Sequence, residues 1–151
     1  MNLSRLVLLL LAWGSSAGAK PWNGIAPGTS SSLDVIARFG DPSKTLTAEG
    51  KETLVYSGPK AIKGAAQAQF KLSQDKTVER IDVYPAVVLD VDAIEDSYGP
   101  ACDEKHTNEP CFVKKETQQK HSYYVYGRLG LAVFFKDDGR TVQSLAFLPG
   151  T

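Results

Sequence analysis

Both cysteines and both histidines of the chain lie in one short polar segment that runs from Cys102 to His121. Thiolate sulfur and imidazole nitrogen are good ligands for zinc, so this segment is a candidate metal site. The alternative is a disulfide, because only eight residues separate Cys102 from Cys111 and a pair this close is readily oxidised outside the cytosol. We predict the disulfide, and we expect neither a metal site nor a cofactor.

Residues for nucleophilic catalysis do not form a recognisable pattern. Attack by serine requires a base and an orienting acid near the nucleophile, and the chain has no Gly-x-Ser-x-Gly turn. The acidic pairs Asp137–Asp138 and Asp90/Asp92 suit a turn and a helix cap. A calcium site at these pairs is not favoured, because calcium would require more oxygen ligands at regular spacing. We therefore expect that the protein is not an enzyme. An uncharacterised enzyme or metal-binding protein remains an alternative.

Four tyrosines are candidates for contact with a protein partner, namely Tyr56, Tyr123, Tyr124 and Tyr126. The last three lie in the predicted strand SYYVY, where successive side chains point to opposite faces of a sheet. Tyr124 and Tyr126 should therefore share one face, with Tyr123 on the other. An exposed aromatic patch would anchor a protein interface. The alternative is cross-strand packing of these rings within the sheet.

The N-terminal segment has the pattern of a cleaved signal peptide. Arg5 precedes an apolar run over 6–13, and small residues at 17–19 suit cleavage before Lys20. The run is far shorter than the roughly 20 apolar residues that span a bilayer, and no cysteine near the cleavage point could carry a lipid anchor. We predict a signal peptide over 1–19 and a periplasmic or secreted mature protein without membrane insertion.

Charge excludes two classes of partner. Lysine and arginine together number 17, as do aspartate and glutamate, and the two signs are interspersed along the chain. Nucleic-acid binding and attachment to anionic membranes both require concentrated basic residues. The sequence therefore favours neither partner.

Helix and strand signals divide the rest of the chain into an extended lead-in, 20–28, and two repeats, 29–85 and 90–149. Each repeat begins with a helix that ends at a glycine, and Ser31 with Asp34 forms a capping box at the start of the first helix. Three strands follow each helix. The predicted strands are 52–57, 66–72 and 77–84 in the first repeat and 122–126, 129–136 and 141–148 in the second.

The final segments of the two repeats align without a gap. Residues 68–85 match residues 132–149, with alanine, phenylalanine, threonine, valine and proline at corresponding positions. The matched order of strand, turn and strand indicates an internal duplication. The prediction is one compact α+β domain of two helix-plus-three-strand antiparallel repeats, with the helices packed on one face of the sheet.

A family pattern accompanies this duplication. The Pro27-Gly28-x-Ser30 entry, the short helix with Val35 and the aromatic-Gly-x-Pro stop at 39–42 resemble the SmpA/OmlA (BamE-like) domain. The tandem arrangement is similar to that of β-lactamase inhibitor proteins. These resemblances imply an α+β fold and a function in protein–protein contact. They imply an adaptor or assembly module of the bacterial envelope or, alternatively, a secreted or periplasmic enzyme inhibitor.

Overall fold

In the described part of the chain, eight antiparallel strands form one continuous sheet, and two short helices precede its two halves. The computed structural model describes residues 19–105 and 109–150. The helices are α1 (Ser32–Phe39) and α2 (Val91–Tyr98). The strands are β1 (Lys44–Ala48), β2 (Lys51–Ser57), β3 (Ala65–Leu72), β4 (Val78–Pro85), β5 (Val113–Glu116), β6 (Ser122–Tyr126), β7 (Leu131–Phe135) and β8 (Val142–Phe147). Their order is β1-β2-β3-β4-β8-β7-β6-β5, so β4 and β8 pair at the centre.

The predicted α+β fold class, with two helix-plus-three-strand repeats, is wrong. The chain is mostly β, and each half contributes four strands to the one sheet. The six predicted strands are present, but the sequence analysis did not find β1 and β5. Both are edge strands in which every residue is exposed. Neither therefore carries the apolar–polar alternation by which a half-buried strand is recognised.

Side-chain caps and glycines set the bounds of the two helices. The predicted capping box is confirmed, because the Ser31 backbone N–H donates to the Asp34 carboxylate at 2.8 Å and the Asp34 N–H donates to the Ser31 hydroxyl at 3.3 Å. At α2 the Asp90 carboxylate accepts from the Ala93 N–H at 3.0 Å. Each helix has eight residues. In the described part of the chain, no helix has the length and apolar character needed to cross a membrane.

The core lies on one face of the sheet, which we call the helix face. Its side chains come from alternate positions of the strands and pack against Val35 of α1 and Ile94 of α2, both buried. The largest helix-face strand residues are Leu54, Tyr56, Phe70, Leu72, Ile81, Tyr124, Tyr126, Leu131, Val133, Phe135, Leu145 and Phe147. The other side of the sheet, the open face, carries the residues between them.

A buried tyrosine hydroxyl fixes the end of each helix to the sheet. The Tyr56 hydroxyl donates to the carbonyl oxygen of Gly40 at 2.7 Å, and the Tyr126 hydroxyl donates to that of Gly99 at 2.9 Å. Both glycines follow the last helical residue and adopt positive φ angles, 78° and 119°, which glycine accepts without a steric penalty. The same interaction therefore occurs in both halves of the chain.

The two central hairpins differ by one residue, and this changes which side chains reach the open face. Leu72 pairs with Val78 in the first hairpin, whereas Phe135 pairs with Val142 in the second, so the second loop is one residue longer. A shift of one residue turns every side chain of a strand to the opposite face. Phe134, which the ungapped alignment matches to the buried Phe70, consequently lies on the open face.

Removing either tyrosine hydroxyl should destabilise the fold by about 1 kcal/mol, the usual net value of one hydrogen bond. The test is urea denaturation of Tyr56→Phe and Tyr126→Phe, with Tyr123→Phe as the matched control on the open face. The control should unfold at the midpoint of the wild type. Equal midpoints for all four proteins would contradict the proposed anchoring of the helices.

Candidate functional site

The structure separates the four tyrosines that the sequence analysis assigned to a partner surface. Tyr56 and Tyr126 have no exposed surface and Tyr124 retains 8%, so these three rings belong to the core on the helix face. Burial raises the pKa of the Tyr126 hydroxyl well above its ordinary value, because the charged phenolate loses more solvation than the neutral phenol. Only Tyr123 lies on the open face. Three of the four tyrosines therefore pack within the sheet, as the alternative interpretation predicts.

Tyr123 is stacked on Phe134 of the neighbouring strand. The two residues are directly paired across β6 and β7, and their ring centroids are 5.2 Å apart with planes inclined by 19°. Both side chains are only half-buried. Offset stacking of this kind holds two aromatic rings in fixed orientations at the surface. The pair thus forms a rigid apolar area on the open face.

A buried carboxylate lies on the same face, in the central strand β4. Asp82 is only 6% exposed, and among the described residues it is the one buried charged side chain. Nε of Arg80 lies 2.9 and 3.1 Å from its two carboxylate oxygens, and Nη2 lies 2.8 Å from Oδ1. Nζ of Lys71, on β3, lies 3.3 Å from Oδ2. One carboxylate is therefore shared by two cations, each with more than a third of its side chain exposed.

These polar and aromatic residues surround one shallow depression, which we call the central cleft. It has a volume of about 280 Å³. Its lining residues are Gln69, Lys71, Arg80, Asp82, Tyr84, Phe134, Gln143 and Ser144. The cleft combines an arginine–carboxylate pair with aromatic rings and amide groups, which suits it to bind polar and aromatic side chains of another molecule. Larger clefts in the described chain, such as the one beside Lys51 and Gly28, lie at the margins of the sheet.

Asp82 and its partners were not predicted from the sequence. One signal was present in the sequence of β4, where the charged residue Asp82 stands between the apolar residues Ile81 and Val83. A charged residue in the middle of a central strand is unusual unless it is paired. Phe134 was missed because the ungapped alignment places it in register with a core residue.

The predicted disulfide between Cys102 and Cys111 is confirmed, with the two Cα atoms 4.8 Å apart. Phe112, next to the second cysteine, stacks on Tyr124 with ring centroids 3.7 Å apart. Because Tyr124 belongs to the helix face, the loop is attached on that side of the sheet. The described residues from Cys102 to Lys105 are exposed.

Among the described residues, no three potential metal ligands come together. His106 lies outside the described part of the chain. His121 is near the second hairpin, with Nδ1 3.4 Å from a carboxylate oxygen of Asp137. The two cysteines are joined to each other and so are not free thiolate ligands.

Comparison with known proteins identifies one similar fold. No family model and no curated protein matches the chain. A solved structure, that of the DUF4309 family protein YjgB from Bacillus subtilis, is similar with a TM-score of 0.56. The match covers 84% of this chain and 83% of that chain, at 15% sequence identity. The similarity therefore concerns the fold of nearly the whole chain and does not extend to function.

Replacing the buried carboxylate should weaken the fold measurably. In Asp82→Asn, Arg80 and Lys71 lose their shared counter-charge, and hydrogen bonds to charged groups typically contribute about 1.5–3 kcal/mol. The matched control is Glu79→Gln, which removes the exposed ion pair with Lys51 at 3.1 Å. Exposed pairs contribute roughly 0–1 kcal/mol. The free energy of unfolding, measured by urea denaturation, should be clearly lower for Asp82→Asn than for Glu79→Gln. Equal values would contradict the structural importance of the buried pair.

Proposed function

We propose that the mature chain is an exported, non-catalytic module that binds another protein through the open face of its sheet, around the central cleft. The observation that carries this proposal is the presence of the Tyr123–Phe134 stack and the Arg80–Asp82 pair on a face that no helix of the described chain covers. Tyrosine and arginine are enriched among the residues that dominate binding energy at protein interfaces.

The geometry of this face favours a large partner over a small ligand. Pockets for small molecules are usually concave, mostly apolar and deep enough to bury most of the ligand. The central cleft is shallow and about 280 Å³ in volume, and its lining is dominated by polar side chains. A partner that covers the cleft together with the adjacent aromatic pair would bury much more surface than the cleft alone offers.

Export is supported by the disulfide. A Cys102–Cys111 bond persists in an oxidising compartment and is rare in the cytosol. The predicted signal peptide, 1–19, lies almost wholly outside the described residues, so cleavage and periplasmic or secreted location stay part of the proposal. The internal repeat is also proposed, and the matching bonds from Tyr56 and Tyr126 to helix-end glycines support it.

A second candidate function is inhibition of an extracytoplasmic enzyme. The disulfide closes a short loop in which the described residues 102–105, 109 and 110 are exposed. A cross-linked exposed loop can enter an active site with little loss of conformational entropy. In this case the loop, and not the open face, would contact the partner. The two functions therefore predict contacts at different positions of the chain.

Site-specific photo-crosslinking distinguishes them. The full chain, carrying benzoylphenylalanine at Gln143 or Ser144 in the central cleft, should form a discrete adduct with one protein in the producing cell. The same probe at Leu33, which is 75% exposed on α1, is the control and should form none. Tyr123→Ala should reduce the adduct at Gln143, because truncation of an interface anchor commonly costs more than about 1 kcal/mol.

The outcomes are separable. Adducts from Glu104 in the disulfide loop, to a hydrolase and without adducts from the cleft, would favour the inhibitor. Equal adduct yields at Gln143 and Leu33 would contradict a specific binding face. Absence of adducts at Gln143 and Ser144 under conditions in which Glu104 reacts would show that the open face is not the interface.

A further inference from the structure

We infer that the protein partner presents an acidic surface to the open face, with one of its carboxylates bound by Arg80 at the central cleft. This inference rests on the proposed function and specifies the chemistry of the partner. It follows from two features of the described residues, the distribution of charge between the two sides of the molecule and the fixed orientation of the Arg80 guanidinium.

The fold separates charges that are interspersed in the sequence. Strand pairing places most basic strand residues on the open face, because alternate positions of a strand point to the same side. The basic residues of the open face are Lys44, Lys51, Lys71, Arg80 and Lys115, and the carboxylates that accompany them are those of Asp82 and Glu79. In a chain with equal numbers of acidic and basic residues, the open-face positions of the strands thus carry five basic and two acidic side chains.

Helix α2 carries a local concentration of acidic residues. The sequence of α2 with its cap contains Asp90, Asp92, Glu95 and Asp96, and no basic residue lies in the last turn of that helix. Charge complementarity steers association and suppresses partners of the wrong sign. The open face should accordingly attract acidic proteins and repel basic ones.

Arg80 is held ready for a carboxylate. Its Nε and Nη2 atoms contact Asp82, so the pairing with Asp82 does not use Nη1, and the Arg80 side chain lines the cleft. A side chain already fixed in one orientation loses less conformational entropy when a partner binds. The planar guanidinium matches a carboxylate in two parallel hydrogen bonds, which a lysine ammonium cannot do.

Lys71 adds to the attraction. Two cations share the single charge of Asp82, so the cluster keeps a net positive charge with both cations partly exposed. Tyr84 and Phe134 line the same cleft, and their rings would exclude water around an incoming carboxylate, which strengthens charged interactions. The carboxylate of Asp82 at the centre of the face disfavours a continuous run of phosphates, so a protein fits this face better than a nucleic acid.

The test uses a decamer of poly-L-glutamate as the probe and the full mature chain at low ionic strength, where exposed charges are least screened. Changes in backbone amide chemical shifts during the titration should cluster on β3, β4 and β8. Arg80→Gln should weaken binding by about tenfold, because the guanidinium is the group proposed to bind a carboxylate of the probe and the probe is only partly desolvated. Arg80→Lys, which keeps the charge, should bind with intermediate affinity.

Lys114→Gln is the matched control. Lys114 lies on β5, pairs with Tyr124 and therefore points to the helix face, so the substitution makes the same change in net charge on the other side. It should alter the affinity by less than about twofold, the range expected for a distant surface charge. The folded state of each variant is checked by the dispersion of its amide spectrum.

Several results would overturn the inference. Shift changes centred on the cationic cleft beside Arg38, Lys60 and Lys63 would place the anion-binding surface elsewhere. Tighter binding of a thymidine decamer than of poly-glutamate would indicate a nucleic acid, and concentration-dependent association in sedimentation that Arg80→Gln abolishes would indicate a second copy of the chain. If poly-glutamate does not bind the open face while Gln143 still forms a crosslink, the proposed function stands and only the acidic partner is wrong.

Discussion

The helices pack on only one face of the eight-stranded sheet, and the rest of the structure depends on this constraint. Two helices of eight residues each can cover only one side, so alternate strand positions must be apolar on that side. Apolar burial contributes roughly 25 cal/mol per Å² of surface removed from water. Most of the buried apolar residues lie on the helix face, with Val55, Ala132 and Ala146 as buried positions on the open face. The positions in between are free to carry polar and charged side chains, and these form the candidate site.

The same constraint explains how a one-residue difference creates part of that site. The longer loop between β7 and β8 turns Phe134 away from the core and toward Tyr123, whereas Phe70 in the first half stays buried. The helix face keeps its packing because Val133 and Phe135 occupy the inward positions. The two halves thus have similar core packing and the same hydrogen bonds that fix their helices. They differ on the open face, where the proposed binding surface lies.

The sequence was sufficient to predict features that depend on local interactions. The helix caps, the six half-buried strands and the disulfide follow from short-range patterns, and the structure contains all of them. The edge strand β5, with the sequence VKKE, could not be predicted, because all its residues are exposed and only its hydrogen bonds to β6 define it as a strand. The arrangement of all strands in one sheet depends on pairing between β4 and β8, which are distant in the sequence.

The candidate site was harder to predict, because it is formed by residues from several strands. The tyrosines were selected from their clustering in the sequence. Strand alternation predicts Tyr123 on the face opposite Tyr124 and Tyr126, but which of the two faces is buried depends on the packing of the whole sheet. Tyr126 and Tyr123 are three residues apart, yet the first is buried and the second is on the open face. The Arg80–Asp82–Lys71 cluster joins neighbouring strands, so its charges could not be recognised as one group from their positions in the sequence.

The most direct test of the two-faced sheet is the rate at which each tyrosine of the native protein is nitrated by tetranitromethane, measured by peptide mass spectrometry. Tyr84 and Tyr123, on the open face, should react in the folded protein, whereas Tyr56 and Tyr126 should react only after denaturation. Nitration of Tyr126 as fast as that of Tyr123 would contradict the assignment of the two faces and, with it, the binding surface proposed on the open one.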